Sequence, residues 1–468
     1  MERPMVKMVS MGIAFHMIPC GQSLMQMEYW SKMTLAEQFY ANPYVGYTYA
    51  YPHKTAYRKF DVPLSLCDVW AVENQQNLFL YIHIPFCEMR CGFCNLFTTT
   101  NPDETVIDHY LTQLEIEIEE MSKTLCPEHR FVRGAFGGGT PSILNPQQLD
   151  RLLACLFDKL NFSEQIALSF EVSPHTVTSE KLDMLKQHGI ERVSIGVQSF
   201  YAHEVKEMGR PQKQDALEKA LSLIDSYKFP VFNIDLIYGA SQQTVESFKQ
   251  SIKRALDFGA NEIYLYPLYV RPLTGLERLG RKADNRLTLY RAGRDELRKK
   301  GFEQVSMRLF RNHDHAKGSL EYCCQEDGMV GLGIGARSYT HHIHYSSEYA
   351  VGRNSIKAII DEYLSKQAKD FREIAYGFQL NDEEQSRRYI IKSLLRTEGL
   401  DLHAYEEVFS RNAIDQHKQL QELCRVGLAE ATDGMLNLND KGLELSDAIG
   451  PWLFSEVAAE KMKTYQLA

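Results

Sequence analysis

Apolar residues in this chain first gather in an unbroken run at 78–86, Leu-Phe-Leu-Tyr-Ile-His-Ile-Pro-Phe, which reads as a strand buried on both faces. From there to about Arg308, apolar runs alternate with segments whose apolar positions recur at helical spacing, the pattern of a parallel sheet built from βα units. The predicted strands are 79–84, 131–136, 166–172, 192–198, 231–238, 262–270 and 302–308. Between the first two, Ile107, Tyr110, Leu111, Leu114, Ile118 and Met121 fall on one face of a helix. Spacing alone leaves open whether such a sheet closes fully, closes in part or stays open.

From about Asp370 the alternation stops. Predicted helices at 384–395, 403–409 and 417–426 precede two short apolar stretches around Gly434, a helices-then-hairpin order similar to a winged helix. The segment is not notably basic, which argues against a DNA-binding head. The chain thus divides into an extension at 1–33, an arm at 34–77, an α/β body at 78–345, a linker at 346–369 and a C-terminal module at 370–468.

Composition narrows the class. At 468 residues and 44% hydrophobic, the chain can bury a large core, and a net charge of -9 argues against general nucleic-acid binding. No apolar run is long enough to span a membrane. Ten cysteines, three of them clustered, point to a reducing compartment, and the cytoplasm is the expected location. The first residues carry Arg3, Lys7 and a modest apolar stretch before Cys20, a pattern open to misreading as an export signal. The stretch is short and broken by Ser10 and His16, so we read an upstream extension or mis-assigned start, with Met27 or Met33 as the working start.

Cys87, Cys91 and Cys94 stand at C-x3-C-x2-C spacing directly behind the first strand. A 4Fe-4S cube prefers four thiolates, so a trio on one loop leaves one iron free for another ligand. Zinc is the competing reading, but no second C-x2-C or His pair follows at finger spacing. The other polar residues of note sit at the C-terminal ends of predicted strands, where α/β folds build their sites. Gly137-Gly138-Gly139-Thr140-Pro141 allows backbone N–H groups close approach to a ligand, although alone such a run is more often a turn. Glu171 ends an apolar strand and needs a partner, either a ligand's ammonium or hydroxyls or a salt bridge to Arg192.

These blocks, Tyr81-Ile82-His83-Ile84-Pro85-Phe86-Cys87, the glycine run, Phe170-Glu171-Val172, Ser194 to Phe200 and Asn233 to Gly239, resemble the radical SAM superfamily and, within it, the oxygen-independent coproporphyrinogen III oxidase (HemN-like) family. The resemblance runs from about Asn42 to the C-terminus. It implies a partial (β/α)6 barrel with an N-terminal arm and a C-terminal helical, winged helix-like module. It also implies a 4Fe-4S cluster on Cys87, Cys91 and Cys94, and two S-adenosylmethionine (SAM) molecules. Tyr81, Gly138 and Glu171 match positions serving the first SAM; Phe93, Gly139, Thr140, Gln198, Arg210 and Asp235 match positions serving the second. The implied chemistry is reductive cleavage of SAM to a 5′-deoxyadenosyl radical that abstracts hydrogen, with flavodoxin or ferredoxin as electron donor and a small-molecule substrate. Tyr81, Glu171 and Arg337 are the candidate catalytic residues.

Departures from the family pattern bear on the substrate. Genuine oxidases carry a fourth cysteine two residues after the third, and Leu96 stands there. Arg337, in Gly331-Leu332-Gly333-Ile334-Gly335-Ala336-Arg337, replaces an apolar residue and would suit an anionic group. The arm, with Tyr44, Tyr47, Tyr49, Tyr51, Tyr57, His53, Lys54 and Arg58, resembles that of true oxidases and reads either as a ligand surface or as a packing clasp. His313-Asp314-His315, His341-His342-Ile343-His344 and Cys323-Cys324 lack a partner motif for a second metal. The expectation is a HemN-like methyltransferase using the second SAM as methyl(ene) donor. A coproporphyrinogen oxidase-like or other porphyrin- or haem-modifying enzyme, and a haem chaperone, are the alternatives.

Overall fold

The computed structural model describes residues 32–210, 212–271, 274–276, 284–312 and 328–466. His313-Asp314-His315, Cys323-Cys324 and nearly all of the extension lie outside them. In chain order the strands are β1 (Arg58–Ser65), β2 (Leu78–Ile84), β3 (Phe86–Cys87), β4 (Thr99–Thr100), β5 (Phe131–Gly138), β6 (Phe162–Val172), β7 (Ile190–Gln198), β8 (Val231–Tyr238), β9 (Glu262–Pro267), β10 (Phe302–Gln304), β11 (Leu309–Asn312), β12 (Met329–Leu332), β13 (Arg337–Tyr339), β14 (Ile343–Ser346), β15 (Glu373–Gln379), β16 (Leu400–Asp401), β17 (Ala429–Thr432) and β18 (Met435–Leu438).

The chain falls into two units, the larger comprising Tyr57–Glu303 and Arg308–Leu380. Its sheet runs β1-β15-β14-β13-β12-β2-β5-β6-β7-β8-β9-β11-β10. From β12 through β2 and β5 to β9 all neighbours are parallel. The predicted α/β alternation is therefore borne out, and among the described residues the sheet is open, with edges at β1 and β10. The helix Glu104–Thr124 buries Ile107, Tyr110, Leu111, Leu114, Ile118 and Met121, the predicted face. No residue of β2 or β8 is exposed, as a strand covered on both faces requires.

Three predicted details are corrected. The strand expected at 262–270 stops at Pro267, and Leu268 N–H turns to the Tyr238 carbonyl. The strand expected at 302–308 stops at Gln304, because Gln304–Met307 joins the smaller unit, and a separate strand, Leu309–Asn312, follows antiparallel to β9. β12, only four residues long, was not predicted, and it extends the parallel set beyond β2.

The smaller unit combines the described residues up to Ala56 with Gln304–Met307 and Asn381–Tyr465. Helices Asp382–Leu394, Leu402–Phe409 and Lys418–Arg425 lead into the antiparallel β17–β18 hairpin, with β16 on its other side. The predicted arm is thus shared: residues up to Ala56 pack with the C-terminal module, and β1 with helix Leu66–Ala71 joins the larger unit. Phe39 meets Trp452 edge to face at 5.6 Å, and the buried Tyr51 hydroxyl bonds to Glu384, whose other oxygen accepts from Ser455 Oγ at 2.7 Å. Tyr44, Tyr51 and Tyr57 are buried, which removes them from any ligand surface and favours the clasp reading. Replacing Tyr51 with Phe strips a donor from a buried carboxylate and will destabilise this unit by about 1–3 kcal/mol, measurable by urea unfolding. Among the described residues, no helix is long and apolar enough to cross a membrane.

Candidate functional site

At the C-terminal ends of the parallel strands lies a cavity lined by Cys87, Cys91 and Cys94 together with residues from β5, β6, β7 and β8. Parallel packing brings every strand to the same end, so residues far apart in sequence meet there. β2 delivers Cys87, and the turn after it is tied down by Thr99 N–H to the Pro85 carbonyl (2.7 Å) and Asn101 N–H to the Cys87 carbonyl (3.0 Å). β5 delivers the glycine run. Gly138 has φ +105°, and a Cβ there would lie 2.5 Å from the His83 ring, so only glycine fits. Gly139 N–H bonds to the Ile84 carbonyl and Thr140 N–H to the Phe86 carbonyl, each at 2.7 Å, zipping the run to the cysteine loop.

Glu171, near the end of β6, is exposed to the cavity, with the Gly137 backbone of β5 packed beside its carboxyl. That packing, reinforced by the nearby Asp235 charge, pushes its carboxyl up to about 7, against the pull of Arg192 and of a hydrogen bond from Gly138 N–H. Arg192 does not bind Glu171 directly. Its guanidinium is taken by Glu262 (2.8 Å) and Ser169 (2.8 Å), and Glu262 also accepts from Arg311 (2.9 Å). Asp235, half-buried on β8, is likewise raised, to about 6, by burial; the hydrogen bond from Asn233 Nδ2 (2.7 Å) and the charges of Arg192 and Arg210 oppose this.

Both carboxyls hold protons in the folded state that the unfolded chain releases near pH 4. Stability of the cofactor-free protein will therefore fall as pH rises from about 4 to about 7. Thermal unfolding across that range checks this, and the double variant Glu171→Gln, Asp235→Asn will flatten the slope.

Gln198 ends β7 at φ +67°, a conformation costly for a side-chain-bearing residue and held here by a register shift between Gly196 and Gln198. Arg210 donates to the Gly196 carbonyl at 2.7 Å and stands against Cys91. Of the residues singled out in the sequence, Phe93, Gly138, Gly139, Thr140, Glu171, Gln198, Arg210 and Asp235 line the cavity with the cysteines. Tyr81 and Arg337 are not among its lining. Tyr81 lies three residues before the end of β2, paired with Gly331, and a Cβ on Gly331 would strike the Arg337 backbone, so the two flank one glycine of β12. Sequence reading missed Thr98, Ser173, Pro174, His175, Ser194 and Gln212, which also line the wall. The available signal was adjacency: Ser173-Pro174-His175 follows the Glu171 strand directly.

The residues fit a 4Fe-4S cluster with SAM. Three half-buried thiols share the cavity, and burial pushes Cys87 up to about 11, so the free thiol would have to lose its proton to bind iron. Among the described residues no group of three His, Cys, Asp or Glu could hold a single metal ion. A cube attaches each thiolate to a different iron and asks for no such convergence. Among the described residues the buried Gln212 carbonyl oxygen has no hydrogen-bond partner, and it lines the cavity together with Thr98, whose hydroxyl faces Cys87. His341, by contrast, pairs with Glu73 at 2.7 Å.

The radical SAM superfamily model matches residues 81–255, which contain all three cysteines and the strand ends described above. The oxygen-independent coproporphyrinogen III oxidase of Salmonella typhimurium is 27% identical over 391 residues, covering 80% of this chain and 82% of its own length. The heme chaperone HemW of Bacillus subtilis is 27% identical over 383 residues, covering 79% and 97%. The solved structure of coproporphyrinogen III oxidase (HemN) from Escherichia coli, a radical SAM enzyme, shares the fold with a TM-score of 0.77 at 24% identity, covering 87% of this chain and 96% of its own. Residues 81–255 thus match the radical SAM superfamily, and most of the chain is similar to HemN-like proteins in sequence and fold, a likeness that implies a 4Fe-4S cluster and SAM.

Proposed function

We propose that this radical SAM enzyme transfers a methyl-derived carbon from a second SAM to an sp2 carbon of a tetrapyrrole. The observation that carries the reading is a coincidence of position. Leu96, where the oxidases of the family have a fourth cysteine, is 47% exposed and lines the same cavity as Phe93, Gly139, Thr140, Gln198, Arg210 and Asp235, the residues matching a second-SAM site. An apolar side chain there removes a group the decarboxylation pattern includes and leaves the second-SAM set intact. The tetrapyrrole rests on the relatives, whose names refer to coproporphyrinogen and to heme.

When bound, the cluster and SAM would supply one-electron cleavage of a carbon–sulfur bond, with flavodoxin or ferredoxin as the proposed reductant. The chain's own residues position and shield. Cys87, Cys91 and Cys94 hold the cluster; Gly138 and Glu171 hold the first SAM. Glu171, with its carboxyl near neutrality, accepts from ribose hydroxyls or an ammonium, and a bound cation would draw off its proton. Asp235, steadied by Asn233, does the same for the second. Tyr81 and Arg337 stand outside the described lining, and any catalytic part they play would come through neighbouring groups.

The test supplies SAM carrying a 13C methyl group with coproporphyrinogen III or haem, under reducing anaerobic conditions. A tetrapyrrole product heavier by the labelled carbon supports the proposal. An unlabelled product that has lost carbon dioxide establishes the oxidase reading instead, and tight haem binding without SAM cleavage establishes the chaperone.

A further inference from the structure

We propose that Thr140 and Arg210 set the reduction potential of the cluster, acting on the sulfurs of Cys87 and Cys91 respectively. The proposal rests on the cluster reading above and adds to it a tuning role for two residues of this chain.

Thr140 Oγ1 lies 3.7 Å from Cys87 Sγ, within hydrogen-bond range of a sulfur acceptor. Its place is fixed by the bond from its own N–H to the Phe86 carbonyl, one residue before that cysteine. Arg210 reaches Cys91 through a contact between two glycines. Gly92 N–H donates to the Gly209 carbonyl at 3.2 Å, and a Cβ on Gly209 would lie 2.8 Å from Gly92 Cα. Backbone therefore meets backbone between the cysteine loop and the Met208–Gly209 turn, which sets Arg210 beside Cys91. Its Nη2 bond to the Gly196 carbonyl holds the guanidinium in the wall of the cavity that Cys91 also lines.

Reduction adds one negative charge to the cluster and its thiolates. A donor or a positive charge held at a sulfur stabilises the reduced form more than the oxidised one and raises the potential. The chain thereby makes the cluster easier to reduce, which suits an enzyme whose reaction starts with an electron from outside.

Both residues also belong to the set assigned to SAM, so the test is run without SAM. Wild type, Arg210→Gln, Arg210→Lys, Thr140→Val and Thr140→Ser are reconstituted anaerobically, assayed for iron and sulfide, and titrated with dithionite while the reduced cluster is followed by electron paramagnetic resonance. Arg210→Gln is expected to shift the oxidised-to-reduced ratio about tenfold at a fixed potential, ~59 mV to the negative side for a one-electron couple. Thr140→Val is expected to shift it about threefold in the same direction. Thr140→Ser will return the wild-type value, and Arg210→Lys will fall between wild type and Arg210→Gln. Full clusters at unchanged potentials in Arg210→Gln and Thr140→Val would overturn the proposal while leaving the cluster reading intact. If wild type takes up no iron and sulfide, the cluster reading fails and this proposal with it. Should Arg210→Gln take up no cluster, the Arg210→Lys and Thr140→Val titrations decide.

Discussion

Cys91→Ala protein is expected to fold, to bind little iron and to cleave no measurable SAM. Cys91 is half-buried in the cavity wall, and its removal leaves no large void to collapse, so secondary structure by circular dichroism will match wild type. Cluster assembly, by contrast, needs three thiolates from this one loop. Among the described residues no other cysteine lines the cavity to substitute for the lost ligand. The same result is expected for Cys87→Ala and Cys94→Ala, with iron content, visible absorbance and 5′-deoxyadenosine formation as the measurements. A variant that kept a full cluster and wild-type cleavage would remove the cysteine trio from its assigned role.

Gly139→Ala will be among the most damaging single substitutions outside the cysteines. An added Cβ would lie 2.8 Å from the Ile84 carbonyl oxygen and closer still to that of Phe86. Both are backbone atoms, so neither can swing aside as a side chain would. The same two carbonyls accept from Gly139 and Thr140 N–H at 2.7 Å, so relief of the clash breaks the bonds that join β5's end to the cysteine loop. Overpacking of this kind costs about 1–3 kcal/mol, and each lost bond adds about 1 kcal/mol. The expected result is a fall in the urea midpoint together with loss of cluster uptake. Gly189→Ala is the contrast: nothing lies within 4 Å of its Cβ, although φ +72° charges a backbone penalty, so it will lower stability without touching the site.

How much of this was legible in the sequence depended on the length of the signal. Buried parallel strands such as β2 and β8 are written as apolar runs, and the Glu104–Thr124 helix as a clear stripe. β12 is four residues with a glycine in its middle, too short to stand out. Gln304–Met307 reads as a continuation of its strand because local pattern carries no record of which unit a segment joins. The arm's tyrosines read equally as a ligand surface or a clasp because an aromatic side chain suits either binding or burial; the Tyr51–Glu384–Ser455 contacts decide for Tyr51. Among site residues, those at strand ends were legible because the α/β topology collects them. Thr98, Ser194 and Gln212 were not, since a hydroxyl or amide acquires meaning only from what it faces.

The most direct test of the central claim uses SAM with a deuterated methyl group, reduced cluster and no other substrate, with 5′-deoxyadenosine analysed by mass spectrometry. Deuterium in the 5′-deoxyadenosine is the predicted result, because the hydrogen would come from the methyl group of the second SAM. Unlabelled 5′-deoxyadenosine, formed at full rate, would contradict the methyl-transfer account.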